Sequence, residues 1–115
     1  MTDKKSEILQ GTLDLMVLKT LDAMGPMHGY GIALRIEQLS ADALRVNQGT
    51  IYLCLIRLVQ KGWIEAEWGA SDNNRKAKFY DISKSGRKQL QAETENWERI
   101  SGVIGRLLQL TPRSR

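Results

Sequence analysis

From Asn73 to Lys78 the chain runs Asn-Asn-Arg-Lys-Ala-Lys, two amides and three cations within six residues. Arg75 offers a planar fork of donors, Lys76 and Lys78 offer mobile point charges, and Asn73 and Asn74 offer adaptable donors and acceptors; together they suit phosphate. A second set precedes them in Gln48-Gly49-Thr50-Ile51-Tyr52-Leu53 and Arg57. At 100° per residue, Gly49, Thr50, Leu53, Ile56, Arg57 and Gln60 fall on one side of a helix, with Tyr52 on its flank. A glycine early in a helix weakens it but lets a backbone come close to something. A helix followed by a basic hairpin can lay the helix in a DNA groove and the hairpin along the backbone.

The flanking pattern supplies elements to hold both sets. Residues 12–24 have helical spacing at Leu13, Met16, Val17, Leu21 and Met24, with Thr12 as a cap and Gly25-Pro26 as the stop. Leu15 and Leu18 lie off that stripe, so this helix is apolar on two sides. A second helix over 29–40 turns Ile32, Ala33, Ile36 and Leu39 inward. Asn47 caps a third over 48–61, whose core stripe is Ile51, Cys54, Leu55 and Leu58 and whose end is Gly62. Trp63 to Trp68 alternates as a strand, Gly69 to Asn74 is turn chemistry, and 76–82 returns as a strand. Ser83 caps a last helix reaching about Leu110. The order α-α-α-β-β-α is mainly helical with one small hairpin, a winged helix-turn-helix over 1–82 and a C-terminal helix over 83–115.

That last helix repeats apolar residues in sevens, with Leu90, Trp97 and Ile104 in one row and Ile100 and Leu107 in the other, which Glu93 breaks. A helix of about 27 residues is ~40 Å long, more than a small core covers. A second copy of the chain is the expected cover, pairing this helix with Leu15 and Leu18 of the first.

The 115 residues suit one small domain, 42% hydrophobic and 26% charged, as in a folded globular chain. Net charge is +4 and unevenly placed. Residues 1–70 hold seven Lys/Arg against eight Asp/Glu, whereas 71–88 hold six against two. The excess sits on and just after the hairpin, where phosphate contact needs it. The N-terminus lacks a signal-peptide core and no apolar run spans a bilayer, so a cytoplasmic chain is expected. A single cysteine and a single histidine, Cys54 and His28, lie in different elements. No nucleophile with a base, no phosphate-cradling glycine loop and no metal-ligand spacing emerges. Neither enzyme nor cofactor is expected. Cys54 reads as a small buried hydrophobe and His28 as a turn or cap residue; Trp63 and Trp68 read as core or wing-base residues.

Taken together, Leu9-Gln10-Gly11-Thr12-Leu13-Asp14-Leu15, His28-Gly29-Tyr30-Gly31, Gly49-Thr50-Ile51-Tyr52, Arg57-Leu58, Gly62-Trp63-Ile64, Asn73 to Tyr80, Ser83 to Gly86 and Trp97 resemble the PadR family of bacterial transcriptional regulators, in its short form with a single C-terminal helix. The resemblance implies a homodimeric repressor of an inverted-repeat operator, sometimes released by a small, often aromatic effector. It puts Gln48, Gly49, Thr50, Tyr52 and Leu53 nearest the bases, and Asn73, Asn74, Arg75, Lys76 and Lys78 on phosphates, with Arg57 open between a phosphate contact and a surface ion pair. The chain departs from the family where a proline usually follows the tyrosine and an acidic residue follows Arg-Leu; Leu53 and Val59 stand there. An outward leucine can meet a thymine methyl or shift operator preference, and both readings stay open.

Two alternatives also stay open. A winged helix can serve as a protein-interaction module or bind RNA, but such a module has no need to gather cations at its hairpin tip. Trp97 is the one aromatic on the heptad seam. Two facing indoles there can pack on each other or admit a flat aromatic ligand.

Overall fold

Helix α1 (Thr2–Met24) runs through the middle of the molecule, touching α2, α3, β3 and α4. The remaining elements are β1 (Met27–His28), α2 (Gly29–Leu39), α3 (Gln48–Gln60), β2 (Ile64–Ala70), β3 (Lys76–Ile82) and α4 (Lys84–Leu108). The computed structural model describes residues 2–70 and 73–113, with side chains from residue 11 onward. Ser71 and Asp72 of the expected turn lie outside the described residues. The three strands form one antiparallel sheet in the order β1-β3-β2.

Local chemistry starts and stops most of these elements where the sequence indicates. Asn47 accepts the Thr50 N–H at 2.8 Å and opens α3. Gly62 follows that helix at φ +76°, a conformation that glycine adopts without a Cβ penalty. Ser83 accepts the Gly86 N–H at 3.0 Å and opens α4. His28 opens α2, its Nδ1 accepting the Gly31 N–H at 3.0 Å.

Four expectations are corrected. Helix α1 begins at Thr2 rather than near Thr12, because Gly11 costs a helix only about 1 kcal/mol and does not end it. Leu18 is fully buried, so it belongs to the chain's own core and offers nothing to a partner. Leu90, only 7% exposed, is likewise core, because the start of α4 folds back onto α1. The double apolar face of α1 is thus largely covered from within the chain. Leu39 is 73% exposed instead of inward, since α2 ends there and the chain turns away through Ser40. Leu15 is half-buried, packed on the edge of the core. The sequence also gave no sign of β1, a two-residue strand pairing Met27 with Tyr80 and His28 with Phe79.

The core joins the first three helices and the sheet: Leu13, Val17, Leu18 and Leu21 of α1, Ile32 and Ile36 of α2, Ile51, Cys54, Leu55 and Leu58 of α3, and Ile64, Tyr80 and Ile82 of the sheet. Each large aliphatic side chain buried this way stabilises the fold by about 1.5–3 kcal/mol. Beyond Leu90 the packing changes. From Trp97 to Leu108, α4 leaves the body, and Trp97, Ile100, Val103, Ile104, Leu107 and Leu108 are all exposed. The projecting arm gives extents of 65 × 31 × 22 Å and a radius of gyration of 16.7 Å. A compact chain of this length has about 13 Å.

Candidate nucleic-acid interface

The turn between α2 and α3 sets the angle of the outward helix. Glu37 receives the Val46 N–H on its Oε2 at 3.1 Å, and Ser40 Oγ receives the Leu44 N–H at 3.1 Å. Ala41 and Asp42 both take positive φ, 53° and 65°, to reverse the chain in so few residues. The role of Glu37 was not legible from sequence, because a carboxylate reaching nine residues forward leaves no periodic signal.

Helix α3 buries Ile51, Cys54, Leu55 and Leu58 and turns the other side to solvent. Gln48, Gly49, Tyr52 and Leu53 are exposed and Thr50 half-exposed, which places this expected set on one open surface. Tyr52 and Leu53 stand well open to solvent, at 59% and 63%. Leu53 is therefore an apolar side chain on the open face of α3. Val59, the other departure, is exposed at the far end of the helix.

Of the two readings open for Arg57, the structure favours the ion pair. Its Nη2 donates to Asp14 Oδ1 at 2.5 Å, and that oxygen also accepts from Cys54 Sγ at 3.1 Å. The guanidinium is half-buried in an ion pair tying α3 to α1, rather than held out for phosphate. Asp14 stands 43 residues upstream, so only the fold reveals the pair. Burial, then the hydrogen bond to Asp14 and its negative charge, push the Cys54 thiol up to about 12, against a smaller opposing effect of Arg57. Such a thiol is inert at neutral pH, in keeping with a core residue.

The hairpin carries the second set. Asn73, Asn74, Arg75, Lys76 and Lys78 are all exposed, and Asn74 supplies a turn residue at φ 58°. Directly opposed residues of an antiparallel pair share a face. One face therefore bears Ile64 with Ile82, Ala66 with Tyr80, Trp68 with Lys78 and Ala70 with Lys76. Its base is buried against the helices, and its tip is open. Ile64, Tyr80 and Ile82 of this face share the core with Ile51, Leu55 and Leu58, so the face lies on the α3 side; burial raises the Tyr80 phenol, with Tyr52 adding to the effect. The opposite face bears Glu65 with Asp81 and Glu67 with Phe79.

The expected sets thus stand on adjoining elements with their open sides available, apart from Arg57. Trp97, Ile100, Ile104 and Leu107 are exposed together on the arm, some distance along the chain from both sets. An open groove of about 540 Å³ runs between α1 and α4, with Gly11, Thr12, Leu15, Glu93, Asn96 and Trp97 among its walls. No helix among the described residues is long and apolar enough to cross a membrane.

Comparison with known proteins matches this arrangement to relatives. A PadR-like transcriptional regulator from Bacillus cereus superposes with a TM-score of 0.79 at 27% identity, covering 91% of this chain and 99% of that one. An uncharacterized protein from Lysinibacillus sphaericus is 27% identical over 100 residues, 87% of this chain and 91% of that protein. An uncharacterized 37.1 kDa transposon protein from Streptomyces fradiae is 34% identical over 90 residues, but this chain spans only 24% of its length. Residues 17–92, from the core of α1 through the wing to the first turns of α4, match the transcriptional regulator PadR-like family. With the winged-helix body and its long final helix both in place, the chain belongs to the PadR-like family of transcriptional regulators.

Proposed function

We propose that the chain is a homodimeric, sequence-specific DNA-binding repressor acting on an inverted-repeat operator. The observation that carries this reading is the open surface of α3, from Gln48 to Leu53, standing beside a hairpin on which Lys76 and Lys78 share one face. Helix α3 enters the major groove, with Gln48, Gly49, Thr50, Tyr52 and Leu53 toward the bases. The wing, with Asn73, Asn74, Arg75, Lys76 and Lys78, lies on phosphates and fixes register without reading sequence. Arg57 contributes by holding α3 against α1. The exposed side of α4, with Trp97, Ile100, Ile104 and Leu107, pairs with the same side of a second copy.

Selection of duplexes from a random pool, followed by salt titration of the winner, tests the reading. A recovered inverted repeat should bind more tightly than its scrambled version, with affinity falling steeply as salt rises. Replacing Thr50 or Gln48 should change preference among operator variants by about 1–3 kcal/mol. Replacing Lys76 with Ala should weaken all duplexes and make the salt slope shallower by about one. Equal affinity for every duplex would leave a non-specific binder, and no affinity would favour an interaction module.

The groove beside Trp97 supports a further part of the proposal, release by a small planar aromatic effector. An occupant there changes the angle between subunits and hence the spacing of the two α3 helices, which must be ~34 Å apart to enter successive major grooves. Tryptophan fluorescence titrated with planar aromatics, in the wild type and in Trp97→Phe, tests it. Quenching undiminished in the variant would place the ligand elsewhere.

A further inference from the structure

Trp68 is the largest exposed side chain on the wing, 60% open, and two lysine ammonium groups stand over its ring. Lys76 Nζ stands 5.2 Å from the indole centroid and Lys78 Nζ stands 5.7 Å from it. Lys78 is directly opposite Trp68 across the ladder, and Lys76 is the next residue outward on the same face. Two ammonium groups on one face repel each other, and the negative face of an indole offsets that repulsion. Among the described residues neither lysine has a carboxylate within salt-bridge distance.

The wing is also two-sided in charge. Trp68, Lys76 and Lys78 occupy the face that continues from buried Ile64, Tyr80 and Ile82, which pack with Ile51, Leu55 and Leu58 of α3. Glu65, Glu67 and Asp81 occupy the reverse. A polyanion approaching α3 meets the cationic face and is repelled by the other, so the wing can dock in only one orientation.

We propose that Trp68 is a positioning residue of the DNA interface: its indole holds Lys76 and Lys78 together on the α3 side of the wing and presents them as a pair to the sugar–phosphate backbone. This rests on the DNA-binding reading. Free lysine stems lose rotamer freedom when they engage phosphate, and a stem already held against an indole loses less. The benefit is preorganisation, so removing the indole should lower affinity without changing how many phosphates are neutralised.

The test measures wild type, Trp68→Ala, Trp68→Phe, the double variant Lys76→Ala/Lys78→Ala, and the triple variant, on the selected operator and on a scrambled duplex. Trp68→Ala should weaken both duplexes alike, by about two- to ten-fold, with an unchanged log–log salt slope. Trp68→Phe should recover part of the loss. In the background lacking both lysines, removing Trp68 should cost nothing further. Unchanged melting temperatures are expected for a residue this exposed and would separate the effect from misfolding. Wild-type affinity in Trp68→Ala, or a loss that persists undiminished without the lysines, would overturn the inference. Failure of the wild type to bind any duplex would remove the DNA-binding reading and this inference together. A wild type that binds while Trp68→Ala is silent removes this inference alone.

Discussion

The body and the arm of this chain use similar residues to opposite effect. In the body, Leu18, Leu55 and Leu58 are all but sealed, and α1 packs against α2, α3, β3 and α4 of the same chain. On the arm, Ile100, Ile104 and Leu107 are comparably apolar and stand open. The boundary falls inside one helix, between Leu90, which is core, and Trp97, which is not. An apolar stripe with the same spacing therefore closes a fold in its first turns and stays available to a partner in its last. The body needs nothing outside itself; the arm, on the proposed reading, needs a second copy.

The junction is where this contrast is easiest to break. At Gly86 a Cβ would collide with the Trp63 carbonyl oxygen, and it would lie 2.8 Å from Ile82 Cγ1. Ser83 and Ser85 donate to the Gly62 carbonyl beside it, at 2.6 and 2.8 Å, so the backbone has little room to retreat. Gly86→Ala should therefore destabilise the body by at least about 3 kcal/mol in chemical denaturation. A smaller loss would mean that α4 can shift away from the hairpin. On the arm, Leu107→Asp should weaken self-association by about 2 kcal/mol, read by sedimentation over a concentration series. The far-ultraviolet spectrum of the body should remain. Loss of folding there would contradict a self-sufficient body.

Within the body, Asp14→Asn weakens the link between α1 and α3 by removing the charge that holds Arg57 and accepts from Cys54. The expected cost is about 1–2 kcal/mol, tempered by the partial exposure of Arg57. Cys54 gives a pH signature. Its folded pKa is raised, to about 12 from 9.0, so the neutral thiol stabilises the fold fully below 9. That contribution is lost as pH rises from 9 toward 12, because the unfolded thiol ionises first. Cys54→Ser or Cys54→Ala should flatten this alkaline decline; an unaltered decline would point to other groups. The smallest effect expected is at Ala41, whose φ of 53° suits glycine better. Ala41→Gly should be stabilising by about 0.5 kcal/mol, the relief of strain slightly exceeding the added entropy of the unfolded chain.

What sequence alone revealed follows the range of the interactions. Asn47, Ser83 and Gly62 act within a few residues of themselves, so the limits of α3 and the start of α4 were legible, as was the stripe Ile51-Cys54-Leu55-Leu58. The first strand of the hairpin was legible from its alternation, and the return strand from the turn before it. Position in three dimensions was not. Leu18 and Leu90 look like interface residues by spacing, and only the return of α4 onto α1 shows them to be covered from within. Strand β1 is too short to have a period, and its partner lies some 50 residues away. Arg57 had the right type for phosphate, but its partner Asp14 is remote in sequence. Trp68 was placed with the wing base because alternation gives a face but not the point where that face leaves the core.

The central claim is that the body reads DNA and the arm brings two bodies to one operator. Sedimentation of the wild type with a fluorescently labelled inverted-repeat duplex tests it most directly, because it counts chains per specific complex. The account requires two chains of 13.0 kDa on one duplex, with Leu107→Asp needing a higher protein concentration to reach the same stoichiometry. A single chain bound with full operator specificity, unaffected by Leu107→Asp, would contradict it.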